Sequence, residues 1–552
     1  MHGAGRDQPP GGAPVFRLSG RSCDRPHSLT VIAYLVREIT ITADMLLRIP
    51  LLTIRCPPRT RAMSSAASAS SSAFITDKAF IDGRWVTSSK GTFEVRNPEN
   101  NELIGHAANC TEQETDQAIH AAVRSFESWS TTTAKHRGNL LRKMFDLQMQ
   151  HQSELANLIS REMGKPVQEA SGEIVYGASF LEWFSEQGRR MNGEILQSPF
   201  PDKVLMATRE AAGPAAIITP WNFPNAMITR KLAAALAAGC TAVIRPSEDT
   251  PFSGIALAKL AEEAGIPAGV VNVIPSDRSL APVIGQRLAE SPDIAVLSFT
   301  GSTVVGKQLL SWGSQTVKRV CLELGGNAPF IVFDSADADR AAEGCIASKF
   351  RNAGQTCVCA NRIFVQKGIH DEFVAKLAVA MQKSLRVGRP QDPGVTIGPL
   401  VNERAVHKVI QHVDDAVSKG AKLLVGGKRV DGNYFEPTLI DGVKEGMRMC
   451  QEETFGPVAG IFTFETEDQV IQLANAVRVG LAAYFYSRDL SQVMRVSRKL
   501  QVGMIGVNDG IISCCEAPFG GVKESGLGRE GSHLGLDEFS NVKYICLGGL
   551  KL

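Results

Sequence analysis

The sequence predicts an α/β protein organised around an open, largely parallel sheet of Rossmann type, on three observations. From Gly213 onward, short apolar runs alternate with segments of helical period, which is the pattern of successive strand–helix units. The fourth run leads into FTGSTVVGK, a glycine-containing turn that opens a helix and can receive a phosphate at the helix N-terminus. Finally, 552 residues are too many for one compact core, so the sheet is expected to share the chain with one or two further domains.

Composition narrows the function classes. The chain has 59 basic and 57 acidic residues, a net charge of +2, which gives no bulk electrostatic case for nucleic acid or a membrane surface. Its 12 cysteines are scattered, apart from Cys357/Cys359 and Cys514/Cys515. That usage suits a reduced compartment, and without zinc-type spacing no metal site is expected.

Residues 1–74 read as a separate targeting or disordered extension, with nine arginines and no lysine. The apolar stretch from Leu29 to Ile54 is broken by Arg37, Glu38, Asp44 and Arg48. At about 2.5–3.5 kcal/mol each in a bilayer, these charges exclude a transmembrane helix. From Met45 the text is arginine-rich, serine-rich and free of acids, the composition of a mitochondrial transit peptide. A presequence beginning there implies that residues 1–44 lie upstream of the natural start. Initiation at Met63 would leave a cytoplasmic form.

Order is expected to begin near Ala79, where FIDGRWV reads as two strands about an Asp82-Gly83 turn. Helices follow around Ala118–Phe126, Leu140–Leu147 and Leu155–Ile159, the last ending near Gly164-Lys165-Pro166. Strands are then expected at Ala215–Thr219, Thr241–Arg245, Val270–Ile274 and Ile294–Ser298, with a helix from Pro251. Ligands of such a sheet bind at the carboxyl ends of its strands.

FRNAGQTCVCANR, residues Phe350 to Arg362, holds the strongest candidate nucleophile, Cys357. Its polar turn is poor company for a structural thiol, and the flanking cations are of the kind that lower a thiol pKa.

PWNFP, RPSE, FTGSTVVG, LELGGNAP, GQTC, EETFGP and PFGGVKESG occur in this order, and the chain from Ala79 onward resembles the aldehyde dehydrogenases. Within that family, WNFPNAMITRKLAAALAAGC and FRNAGQTCVCANR are most similar to the succinate-semialdehyde dehydrogenases. The resemblance implies an NAD(P)-binding domain over 75–192 and 212–322 and a catalytic domain over 323–533. It also implies a small oligomerisation element over 193–211 and 534–552, making a homodimer or homotetramer by strand addition. It implies Cys357 as nucleophile, Glu323 as general base, and the Asn222 amide with the Cys357 N–H as oxyanion donors. Trp221, Arg245, Ser247, Glu248, Gly301 and Ser302 would take the adenosine and pyrophosphate, and Glu453 and Phe455 the nicotinamide side. Arg245 stands where the family usually has lysine. Glu248 can accept from a ribose 2′-hydroxyl and repels a 2′-phosphate, which favours NAD, while Arg245 would still admit NADP. Arg230, Arg351 and Ser513 match the contacts to the distal carboxylate of the substrate, a small carboxy-aldehyde. Cys359 is suggested as the partner of Cys357 in a reversible redox switch. A relative acting on glutarate semialdehyde or on a broader aldehyde range is the alternative; a catalytically silent protein on this fold is disfavoured by the intact Cys357, Glu323 and Asn222. The terminal ICLGGLKL is too short for a membrane anchor.

Overall fold

In the computed structural model, residues 71–550 are described. The targeting extension, apart from its last few residues, lies outside them. Two large sheets and one small one carry the architecture.

The first sheet has eight strands, in the spatial order Arg84–Val86, Ala79–Ile81, Val271–Val273, Ala242–Arg245, Ala215–Ile218, Val296–Thr300, Arg319–Glu323 and Gly526–Leu527. The five inner strands are parallel. In chain order they run third, second, first, fourth, fifth, so the winding reverses between Ala215–Ile218 and Val296–Thr300. That reversal opens the crevice at which such sheets bind ligands. The outermost pairings are antiparallel. The first of them turns at Asp82 and Gly83, both at positive φ, as a two-residue hairpin requires.

The expected helices are present as Glu112–Ser130, Ala134–Gln150, Gln152–Met163, Pro251–Ala264 and Thr303–Gly313. Gly164 closes the third in the left-handed region, and Ser302 caps the last, its hydroxyl accepting from the Val305 N–H at 3.4 Å. The fourth inner strand begins at Val296 rather than Ile294, because its ladder starts only where Ala215 pairs with Val296. Among the helices that the sequence reading does not name are Val167–Gln187 and Ala226–Ala238. Every residue of the second is buried, so no polar stripe marks its period.

The second sheet has seven strands in the order Lys422–Val425, Thr438–Asp441, Val458–Phe464, Ala360–Gln366, Ala328–Val332, Ala482–Tyr486 and Met504–Val507. All pairs are parallel except the first. Gly526–Leu527 then returns the chain to the edge of the first sheet, beside Glu323. A third sheet joins Glu194–Leu196, Val204–Ala211 and Ser540–Leu547 in antiparallel pairing. It leaves Ile195, Val542 and Tyr544 exposed. Among the described residues no helix is long and apolar enough to cross a membrane.

Candidate active site

Three ends of the first sheet meet the cysteine loop. Ala215–Ile218 runs out into Pro220-Trp221-Asn222, Val296–Thr300 into Gly301-Ser302, and Arg319–Glu323 ends on the glutamate itself. A cavity of about 370 Å³ is lined by Trp221, Asn222, Gly301, Ser302 and Cys357, and from the far side by Lys408, Glu453 and Phe455.

Backbone strain and side-chain hydrogen bonds build the cysteine loop. After helix Ala338–Lys349, Asn352, Ala353 and Gly354 follow one another at φ of 53°, 52° and 76°. Such conformations cost about 1 kcal/mol or more each for residues with a Cβ and persist only when the surroundings over-determine them. Here the Asn352 amide donates to the carbonyls of Asn222 (3.0 Å) and Gln355 (3.2 Å). The Gln355 amide donates to the Asn352 carbonyl at 3.1 Å and accepts from the Val401 N–H at 3.0 Å. A Cβ on Gly354 would stand 2.1 Å from the Gly456 carbonyl oxygen, so only glycine lets the loop seat against EETFGP.

Asn222 has its own support. Its Nδ2 donates to the Gln355 carbonyl at 3.1 Å, leaving a second N–H on that nitrogen. Its carbonyl accepts from Nζ of Lys165 at 2.9 Å. Lys165 is buried, lies over the Phe223 ring at 3.7 Å and pairs with Glu173 at 2.5 Å. The other Glu173 oxygen accepts from the N–H groups of Asn225 (2.9 Å) and Ala226 (3.3 Å), closing the start of Ala226–Ala238. Sequence reasoning gave this pair no role. The text KPVQEASGE, with Gln168, Glu169 and Ser171 between the two, does not set this pair apart from ordinary surface residues. Breaking one partner of a buried pair typically costs about 3–5 kcal/mol.

The thiol corrects one expectation. Burial first, then the charge of Glu453, pushes Cys357 up to about 12, with Arg230 acting the other way. The flanking arginines do not lower it, because both point elsewhere. Arg351 lies over the Phe223 ring at 4.9 Å. Arg362 donates to the carbonyls of Asn327, Leu473 and Ala474. Cys357 itself is partly exposed. Cys359 is a buried free thiol whose Sγ donates to the Lys349 carbonyl at 3.5 Å.

Glu323 is 3% exposed, and neither carboxyl oxygen has a hydrogen-bond partner among the described residues. Burial first and the nearby Glu530 carboxylate second raise its pKa well above the ordinary carboxylate range. Glu453 accepts from the Gly326 N–H at 3.2 Å and is raised to about 7, mainly by burial. Trp221 and Phe455 meet edge to face at 5.7 Å.

Glu323 is not in the lining of this cavity, although Leu324 and Gly325 after it are, and the remaining expected residues do not line it either. Arg245 is tied to Glu248 at 2.9 Å and to the Ser276 hydroxyl at 3.1 Å. Glu248 faces a neighbouring polar cavity of about 730 Å³, and Ser247 is buried beside it in the chain. Arg230 is 2% exposed, with its guanidinium paired to Glu530, which Lys231 shares. This carboxylate partner comes from far along the chain, and Arg230 Nε is left without a hydrogen-bond partner among the described residues. Arg351 forms no ion pair among the described residues, and Ser513 is partly exposed.

Residues 85–545 match the Aldehyde dehydrogenase family. The chain is 55% identical over 473 residues to the mitochondrial succinate-semialdehyde dehydrogenase of Rattus norvegicus, covering 85% of this chain and 90% of that one. It is 50% identical to glutarate-semialdehyde dehydrogenase of Pseudomonas aeruginosa, over 86% of this chain and 98% of the relative. A crystal structure of succinate-semialdehyde dehydrogenase from Burkholderia pseudomallei superposes with a TM-score of 0.85 at 50% identity, covering 86% and 98% of the two chains.

Proposed function

The chain belongs to the aldehyde dehydrogenase family, and from that premise we propose that it oxidises succinic semialdehyde to succinate with NAD(P). The observation carrying the substrate class is Arg351. It stands six residues before Cys357, unpaired by any carboxylate among the described residues, on the aromatic face of Phe223. Forked pairing of a guanidinium with a distal carboxylate gives affinity and a fixed distance to the reacting carbon.

Cys357 loses its proton to solvent, and the thiolate attacks the aldehyde carbon, forming the oxyanion of a thiohemiacetal. The free N–H of the Asn222 amide and the Cys357 backbone N–H stabilise the oxyanion, a donor of this kind being worth about 2.7–4 kcal/mol. The lining fits a dinucleotide: a capped helix start at Gly301-Ser302 for phosphate, the rings of Trp221 and Phe455 for a planar base, and Glu453 for a ribose. When bound there, the nicotinamide supplies the acceptor for the hydride that leaves the thiohemiacetal carbon. Glu323 then takes a proton from water, which attacks the thioester and releases the acid. Its apolar burial makes the carboxylate a stronger base once it is ionised.

Arg351→Ala is expected to lower kcat/KM for succinic semialdehyde about 10²-fold, the scale of a lost charge-assisted hydrogen-bond pair. Butanal should be affected little. Equal losses for both would remove the carboxylate site. Glutarate semialdehyde in the same panel tests the alternative substrate.

For the cofactor, Glu248 offers the polar cavity a carboxylate that can accept from a ribose 2′-hydroxyl and opposes a 2′-phosphate, and Arg245, paired with it at 2.9 Å, offsets part of that repulsion. NAD is preferred with readily detected NADP use. Catalytic efficiencies that are equal, or that favour NADP, would refute this. Cys357 and Cys359 are retained as a reversible disulfide switch, which requires Cys359 to leave its Lys349 carbonyl. The exposed apolar side chains of the third sheet fit a homodimer or homotetramer formed by strand addition. The arginine-rich extension and the mitochondrial rat relative support localisation to mitochondria.

A further inference from the structure

We propose that the Tyr176 hydroxyl is a further contact for the substrate's distal carboxylate and sets the preference for acid over neutral aldehydes. This rests on the reading above that the substrate carries such a carboxylate.

Tyr176 lies on helix Val167–Gln187, which sequence reasoning left unread. Its ring packs edge-on against Phe180 at 5.1 Å and against the cluster of Phe223, Ala226 and Met227. The hydroxyl is buried and has no hydrogen-bond partner among the described residues. Buried tyrosine hydroxyls normally find a partner, and one left without calls for a ligand.

The surroundings say which ligand. The two rings that hold Tyr176 each carry a guanidinium, Arg230 over Phe180 at 5.6 Å and Arg351 over Phe223 at 4.9 Å. The phenol's pKa is raised, chiefly by burial, with Arg230 and Arg351 acting the other way. It is therefore a protonated donor at neutral pH. Arg230 Nε is also buried without a partner, although the same guanidinium is paired with Glu530. Tyr176, Arg230 Nε and Arg351 are thus three donor groups with no acceptor assigned to them. A carboxylate is acceptor-only, with about four lone-pair sites on two oxygens, and suits that set. An alkyl terminus would leave the hydroxyl bare, and a site built to hydrogen-bond rejects analogues lacking the group.

The test compares wild type, Tyr176→Phe and Arg351→Ala on succinic semialdehyde and butanal, with succinate as a competitive inhibitor. NADH binding by fluorescence checks that each variant is folded. Tyr176→Phe is expected to reduce kcat/KM for succinic semialdehyde about 10–100-fold, mostly through KM, and to weaken succinate by a similar factor. Butanal should stay within about two-fold, since it presents no acceptor to the hydroxyl. Equal losses on both aldehydes would make Tyr176 a packing residue. An unchanged preference in Tyr176→Phe, with a lost preference in Arg351→Ala, would overturn the tyrosine contact alone. Preference retained in both variants would overturn the carboxylate reading and the tyrosine contact with it.

Discussion

Cys357→Ala is expected to lower NAD-dependent oxidation of succinic semialdehyde at least about 10⁴-fold, the scale on which removing an essential nucleophile acts. NADH binding, followed by its fluorescence, should change by less than about two-fold, because the substitution removes only a small side chain from one wall of the cavity. No second thiol can take over. Cys359, the nearest in sequence, is buried with its Sγ donating to the Lys349 carbonyl. Residual activity within a factor of about ten of wild type would remove Cys357 from the chemistry.

Glu323→Gln separates the two halves of the reaction. Steady-state turnover is expected to fall about 10²–10⁴-fold, the usual contribution of a positioned general base. The first hydride transfer needs no base at this position, so rapid mixing should still release a burst of NADH of about one equivalent per active site. Folding should survive the change, because glutamine keeps the shape while removing a charge that Glu530 opposes. A loss of turnover with no burst would place Glu323 before the thioester and contradict its assignment as hydrolytic base.

Different parts of the site and fold were legible to different depths. Cys357 and Asn222 could be read because their neighbours along the chain form the turn and the strand end that present them. The helices that could be read, such as Gln152–Met163 with its terminal Gly164, carry their signals within a few residues. Ala226–Ala238 hid because it is buried on every side. Lys165 with Glu173, and Arg230 with Glu530, hid for a further reason. Such pairs are created by folding, and Glu530 is 299 residues from the Lys231 it also binds. The direction of an arginine side chain was likewise invisible. Arg351 and Arg362 flank the nucleophile in sequence, yet one stacks on Phe223 and the other caps backbone carbonyls.

The return of Gly526–Leu527 to the first sheet sets an order of assembly. The five parallel strands are all synthesised by Glu323, but the edge beside that glutamate is supplied by residues made after the whole second sheet. Ser525 Oγ donates to the Gly325 carbonyl across 200 residues of chain, and Glu530 arrives later still to pair with both Arg230 and Lys231. Until the ribosome has released this last segment, the nascent protein holds two cations without their anion and a sheet with an open margin. Contacts of such long sequence separation form slowly, and their absence leaves surface that invites misassembly. Chains truncated before Gly526 are therefore expected to lack this edge and these ion pairs, and to unfold more readily than the whole protein.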